Sequence, residues 1–152
     1  MKDAAHQEML RIALAGLELW IGGRRNMSGP KDDDHDWLSM TARCCASGAE
    51  VRTAGLIVHL PDIERWCDQI TQMREKLSGK AILVDLKQHL IVELMSLNLG
   101  HIQLKIEITP DHMTQQHSFQ FDIDQTYLSP LLAQCRAVLA EYPIRGKRPV
   151  AL

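Results

Sequence analysis

A change in hydrophobic periodicity near the C-terminal end of the chain predicts a strand that leads directly into a helix. Phe119, Phe121 and Ile123 alternate with polar residues, and this period of two is typical of a half-buried strand. After Gln125 the apolar residues recur at helical spacing on one face: Leu128, Leu131, Leu132, Cys135, Val138, Leu139 and Tyr142. Because such a strand fixes where the next helix packs, the segment is predicted to lie in the core.

The same two patterns divide the chain into two similar halves, each with several strands followed by a helix. The first segment is ambiguous, because residues 4–14 contain good helix formers although residues 9–14 also suit a strand. The other predicted strands cover residues 17–24, 37–46, 52–60, 81–85, 90–98, 102–109 and 118–124. Pro61 suits the first turn of one helix and Ser129-Pro130 the start of the other.

These elements predict an α+β fold that is mostly antiparallel β-sheet, with about seven or eight strands in two meanders. Two amphipathic helices, at about 61–78 and 127–142, are expected to lie on the apolar sheet face. Hairpin signals such as Asn98-Leu99-Gly100 argue against a doubly wound parallel sheet, which needs helical crossovers. One domain over residues 1–152 is predicted, with a polar loop at 26–36 and a basic tail at 144–152 that is expected to be frayed.

Composition is that of an ordinary globular protein of 152 residues, with 45% apolar and 24% charged residues. The net charge of −2 provides no overall basic field, so no direct nucleic-acid partner is predicted. The apolar run from Ile12 to Leu17 is too short for an export signal or a membrane span, so no membrane partner is predicted either. Four cysteines without a C-x-x-C pair are typical of reduced thiols, and a cytoplasmic location is expected.

Two sequence features invite a chemical interpretation and have a simpler structural one. Gly22-Gly23 before two arginines resembles an anion-binding turn, but a strand bulge is the favoured interpretation. Cys44-Cys45 resembles a nucleophile loop, but nothing in the sequence lowers a thiol pKa there, so buried structural cysteines are favoured.

Histidines and carboxylates on one sheet face offer the last candidate for catalysis. His89 and His101 flank a predicted hairpin, and Asp122 and Asp124 lie on the polar side of the Phe119 strand. Such a cluster suits acid–base work, but a solvated sheet face is the favoured interpretation. Neither a nucleophile nor metal-ligand spacing accompanies it, so no catalytic residue, metal site or cofactor is predicted.

The acidic run at residues 32–36 is the most distinctive polar feature of the chain. Its spaced acids resemble the start of a calcium loop, but Trp37 and Arg43 stand where glycine and glutamate are needed. A solvated loop is the simplest interpretation, and a different cation site stays as an alternative. The charge density also suits a docking site for a basic partner, with these candidate contacts: Asp32, Asp33, Asp34 and Asp36.

Three blocks of the chain resemble the small bacterial proteins known as WapI-type immunity proteins. The blocks are Asp36-Trp37-Leu38 at the start of a strand, the helix at 62–77, and the strand-to-helix step at 119–128. Asp124-Gln125-Thr126-Tyr127-Leu128 is the closest match, and the similar spacing extends over residues 17–142. The resemblance implies a cytoplasmic, non-enzymatic protein that binds and neutralises a cognate toxin of a polymorphic or contact-dependent system.

The resemblance leaves the class of toxin open. The family's toxins are often nucleases, but the modest acidity of this chain departs from the strongly acidic character of many nuclease immunity proteins. The family also has no catalytic residue to carry over. Two alternatives stay beside the immunity hypothesis: a stand-alone interaction module or homodimer that pairs through a strand edge or sheet face, and a small enzyme with a scattered site.

Overall fold

The computed structural model describes residues 10–25 and 36–146, and within them the chain forms eight strands and two helices. The first half contains β1 (Arg11–Leu14), β2 (Leu17–Arg25), β3 (Trp37–Ala46), β4 (Ala49–His59) and α1 (Leu60–Lys76). The second half contains β5 (Lys80–Val84), β6 (Leu90–Ser96), β7 (His101–Ile108), β8 (Ser118–Asp124) and α2 (Leu128–Glu141). In these described residues, neither helix is both long and apolar enough to cross a membrane.

The strands form two four-stranded antiparallel sheets, each a simple meander in chain order. The first sheet has the order β1-β2-β3-β4 and the second β5-β6-β7-β8. The predicted α+β class, the two meanders and both helices are therefore confirmed. The sequence does not show how the strands are divided between two sheets. The alternation of apolar residues in a strand indicates which face is buried, but not which other strand it pairs with.

The ambiguous N-terminal segment is a strand at residues 11–14. Ile12 and Leu14 are buried on the core side while Arg11 is exposed, and β1 pairs with β2 so that Arg11 faces Trp20. Further along β2 the register shifts between Ile21 and Gly23. This irregularity confirms the bulge interpretation of the glycine pair.

One hydrophobic core takes side chains from both sheets and both helices. Trp66 of α1 and Leu131 of α2 are fully buried, as their positions on the predicted helix stripes require. Among the described residues, the buried Trp66 indole nitrogen has no hydrogen-bond acceptor. Leaving a buried N–H without a partner has a free-energy cost, so the site retains Trp for its packing.

Each helix is attached to the first strand of the other half by a glutamine side chain. Ala13 in β1 donates its N–H to Gln134 Oε1 at 2.6 Å, and Gln134 Nε2 donates back to the Ala13 carbonyl at 3.1 Å. Correspondingly, Ile82 in β5 donates its N–H to Gln69 Oε1 in α1 at 3.0 Å. The amides thereby satisfy backbone groups that an edge strand would otherwise expose.

The turn between β1 and β2 contacts both sheets through Gly16. Its carbonyl accepts the N–H of Cys45 at 2.9 Å. A Cβ placed on Gly16 would lie 2.0 Å from the Cys45 carbonyl oxygen and 2.8 Å from Phe121 Cζ in the second sheet. The absence of a side chain at residue 16 therefore lets the two sheets meet.

Gly16→Ala is expected to destabilise the protein by about 1–3 kcal/mol or more, because the backbone of β3 must move to admit the methyl group. Gly48→Ala is the matched control, since residue 48 has a φ of 82° but open space around its Cβ position. That substitution should cost only about 1 kcal/mol of backbone strain. Urea unfolding of both variants measures the difference, and equal losses would show that the Gly16 contact is unimportant.

Candidate partner-binding surfaces

The acidic candidates divide between the described and the undescribed parts of the chain. Asp32, Asp33 and Asp34 lie outside the described residues. Asp36 is only 3% exposed, and its carboxylate accepts the backbone N–H groups of Arg145 and Gly146, each at 2.7 Å. The guanidinium of Arg24 lies 3.6 Å from the same carboxylate. The Asp36 side chain is thus engaged in an internal contact.

Arg24 extends this contact to the end of the chain. It donates to the Pro143 carbonyl, and its guanidinium lies 5.9 Å from the centre of the Tyr142 ring. We call Arg24, Asp36 and residues 142–146 the C-terminal clasp. It joins the end of β2, the start of β3 and the chain after α2. Nothing in the local sequence pattern indicates this role, because the groups that bind Asp36 are more than a hundred residues away.

On the outer face of the first sheet, three arginines are paired with two glutamates. Glu18 accepts from Arg11 at 2.7 Å and from Arg43 at 2.9 Å, so three neighbouring strands are joined. Arg43 also donates to Glu50 at 2.7 Å, and Arg52 lies 3.9 Å from the same carboxylate. Exposed pairs of this kind contribute little stability individually. The alternating ladder leaves this face with few unpaired charges for a partner.

The outer face of the second sheet is different, because its lysines are paired and its aspartates are not bound to cations. Lys80 lies 3.5 Å from Glu93, and Lys105 lies 3.7 Å from Glu107. On β8, the exposed Asp122 faces Gln103 and the exposed Asp124 faces His101 across the ladder. With two lysines against two glutamates and two aspartates, this face has a net negative charge.

Asp124 also has a structural role at the step from β8 into α2. Its carboxylate accepts the hydroxyl and the backbone N–H of Thr126, the latter at 2.9 Å. These hydrogen bonds, the side-chain one first, lower the pKa of Asp124 below its usual value. The residue therefore fixes the turn at 125–127 that aims α2.

Exposed leucines near the β6–β7 hairpin are the feature that sequence reasoning missed. Leu99 is 95% exposed, Leu77 53% and Leu97 46%. Leu77 and Gly100 line the same small hollow, so the end of α1 lies beside the hairpin. We call Leu77, Leu97 and Leu99 the hairpin tip. A leucine inside the Asn-Leu-Gly turn signal is the sequence feature that could have indicated it.

The candidate acid–base residues are only partly brought together, because His101 lies near Asp124 while His89 is separate from them. His89 lies at the start of β6, where its ring centre is 4.9 Å from that of His112. His101 lies at the opposite end of the β6–β7 pair, across from Asp124. Over residues 10–25 and 36–146, no group of three or more His, Cys, Asp or Glu side chains is placed to hold a metal ion.

The cysteines are free thiols in structural positions. Burial, and then the neighbouring Cys45, raise the pKa of Cys44 to about 12, so its thiolate is scarce at neutral pH. Cys67 of α1 and Cys135 of α2 lie close enough for a hydrogen bond between their thiols. That bond lowers the pKa of Cys67, and together with burial it raises the pKa of Cys135.

Comparison with known proteins identifies the family of this chain. The model of the immunity protein WapI-like family matches residues 10–143, which is most of the chain. The chain belongs to this family. No curated protein and no solved structure matches it. The match confirms the resemblance seen in the three sequence blocks, and it includes every strand and helix of both halves.

Family membership gives the block at 124–128 a physical explanation. In this WapI-like chain, Asp124 and Thr126 make the turn, and Leu128 is the first buried residue of α2. The block is thus a structural signature of the step from β8 to α2. It does not identify the surface that binds a partner.

Asp36→Asn is expected to lower the free energy of unfolding by about 1–3 kcal/mol, because an amide offers one acceptor oxygen to two backbone donors and loses its attraction to Arg24. Asp68→Asn is the control, since Asp68 is exposed on α1. Urea unfolding measures both variants. If Asp36→Asn unfolds like the parent, the charge of the Asp36 carboxylate contributes nothing to stability.

Proposed function

We propose that this chain is a non-enzymatic immunity protein that binds and neutralises a cognate bacterial toxin domain in the cytoplasm. The observation that carries the proposal is the match of residues 10–143 to the immunity protein WapI-like family. A member of this family would act by binding, because an immunity protein has to occupy or distort the toxin and needs no chemistry of its own.

The internal use of the polar groups supports a binding role. The Arg–Glu ladder, the Asp36 clasp and the Asp124 turn each use charged side chains to hold the fold. The pKa of Cys44 is raised, which is the opposite of what a nucleophilic thiol needs. The acidic groups that a basic partner would meet are the exposed Asp122 on β8 and, in the sequence, the run from Asp32 to Asp34.

A toxin with a basic surface is the partner that these acids would suit best. Nucleases have such surfaces because they bind phosphate backbones. A patch of carboxylates would steer the toxin during encounter even though the net charge of the chain is only −2. We therefore propose a nuclease domain as the toxin, with a direct protein–protein contact and no contact between this chain and nucleic acid.

The test first determines whether the gene immediately upstream encodes a toxin domain. That domain is then purified and titrated with the chain in an assay of toxin activity. An inhibitor abolishes activity at a fixed molar ratio, and the endpoint moves in proportion to toxin concentration. An enzyme that repairs or modifies the toxin would protect at far lower ratios. The absence of protection at any ratio, with no complex formed, would overturn the proposal.

Replacing Asp32, Asp33 and Asp34 with asparagine is expected to slow toxin association while the dissociation rate changes little, because surface charges act mainly on encounter. The remaining association rate should also depend less on salt, since the screened attraction has been removed. Asp36 stays unchanged in this variant because its carboxylate is buried in the clasp.

The control variant removes three exposed acids elsewhere and so makes the same change in net charge: Asp68→Asn, Glu75→Gln and Glu141→Gln. Stopped-flow association rates at low and high ionic strength separate a local effect from an overall one. If the two variants slow association equally, the run at 32–34 has no special role in steering.

A further inference from the structure

The backbone at Leu99 has a conformation that leucine rarely adopts. Its φ and ψ are 61° and 34°, and the next residue, Gly100, has a φ of 78°. Two consecutive positive φ values are the requirement of a type I′ hairpin turn, and the first position strongly prefers Asn, Asp or Gly. Leucine has no polar side chain that could hydrogen-bond locally there, so its left-handed conformation is strained.

A second leucine repeats this combination beside the first. Leu77 closes α1 with a φ of 52° and a ψ of 32°, at the left-handed cap position where glycine is usual. It is 53% exposed. Both residues therefore keep an apolar side chain in solvent at backbone positions where glycine or asparagine would fold more easily.

An internal role does not account for Leu99. At 95% exposure its side chain makes almost no packing contact within the described structure. Ala15 offers a comparison, because its φ of 53° serves the turn that brings Gly16 against Cys45 and Phe121. Strain and exposed apolar surface that the fold does not need are typical of an interaction site.

The charge beside the hairpin tip indicates what kind of partner it fits. Gly100 lies next to Gln125, since a Cβ on Gly100 would be 3.3 Å from the Gln125 side chain. Asp124 and, two residues earlier, Asp122 therefore border the tip on the outer face of β8. Lys80, the cation on this face closest to the tip in the strand register, is paired with Glu93. The border of the tip is therefore acidic on the β8 side, while Lys76 precedes Leu77 on the α1 side.

We propose that the hairpin tip of Leu77, Leu97 and Leu99 is the apolar centre of the surface that binds the toxin. The occupant is a toxin domain with an apolar pocket bordered by basic residues, which would face Asp122. This inference rests on the proposed function and locates its contact. A few buried apolar anchors inside a polar border carry most of the affinity of many interfaces.

Leu99→Asn tests the proposal because it should improve folding and impair binding. Asparagine tolerates the left-handed conformation, so Tm is expected to rise by about 2–4 °C. Binding to the purified toxin domain encoded upstream should weaken by about tenfold or more, which is the effect of losing one anchor residue. Calorimetric binding and thermal unfolding measure the two effects.

Two controls separate the side chain from the backbone. Gln88 has a φ of 60°, so Gln88→Asn should also ease the backbone but removes no apolar anchor. Met113 is 91% exposed in the loop after β7, so Met113→Asn removes exposed apolar surface away from the tip. Both variants should bind the toxin domain like the parent.

A separate substitution tests the acidic residue beside the hairpin tip. Asp122→Asn should slow toxin association severalfold at low salt and less at high salt, whereas Asp68→Asn on α1 should not. Asp124 is left unchanged because it holds the turn before α2. Equal association rates for the parent and the Asp122 variant would overturn the basic-border part of the proposal.

The remaining outcomes distinguish the two proposals. If the parent binds the toxin domain and Leu99→Asn binds equally tightly, the hairpin tip is not the contact, while the proposed function stands. If the parent binds no toxin domain, the proposed function fails and this inference fails with it. If sedimentation shows that the parent is a dimer and Leu99→Asn a monomer, the occupant is a second copy of the chain and not the toxin.

Discussion

The fold depends on a reciprocal attachment in which each half provides a helix to the edge of the other. Gln134 of α2 makes two hydrogen bonds to Ala13 of β1, and Gln69 of α1 accepts one from Ile82 of β5. A sheet edge presents unpaired N–H and C=O groups that invite wrong pairing. The glutamine amides pair some of these groups and at the same time fix where each helix lies. Without this exchange, each half would be a meander with one uncovered face.

The two halves have the same arrangement of strands and helix because that arrangement requires the same spacing of buried residues and does not require the same residues. The five buried positions of α1 that follow Leu60 have the same spacing as the five buried positions of α2: Ile63, Trp66, Cys67, Ile70 and Met73 match Leu128, Leu131, Leu132, Cys135 and Val138. In each helix the attaching glutamine comes immediately before the fourth of these residues. Trp66 of α1 and Leu131 of α2 both pack into the single core that the two halves share. Their volumes therefore have to fit together. Identical sequences are therefore not required for equivalent roles.

The local sequence pattern predicts the strands and helices well, but it does not indicate contacts between residues that are far apart in the sequence. Phe119, Phe121 and Ile123 alternate with polar residues in the sequence, and in the structure they face Ile106, Leu104 and Ile102 of β7. The same reasoning could not reveal that Asp36, the last residue of the acidic run, binds backbone groups of residues 145 and 146. Its neighbours in sequence are acidic and polar, so the pattern around it indicates a solvated loop. Likewise, Asn98-Leu99-Gly100 announces a turn, but only the φ of 61° shows that leucine occupies the position asparagine would favour.

Some of the strained backbone positions are needed for the fold, and others are not. Among the described residues, Ala15, Leu77, Gln88 and Leu99 have positive φ without being glycine. Ala15 and Gln88 belong to the first hairpin of each half, and each hairpin contacts the other half: Gly16 lies against Phe121, and Leu86 donates to the Ile57 carbonyl at 2.8 Å. Strain there is offset by contacts that join the two sheets. Leu99 has no such contact in the described part of the chain, so nothing there offsets the strain of its conformation. The two halves thus differ at the second hairpin of the second half, where a strained leucine is exposed. The surface there is apolar and has carboxylates beside it.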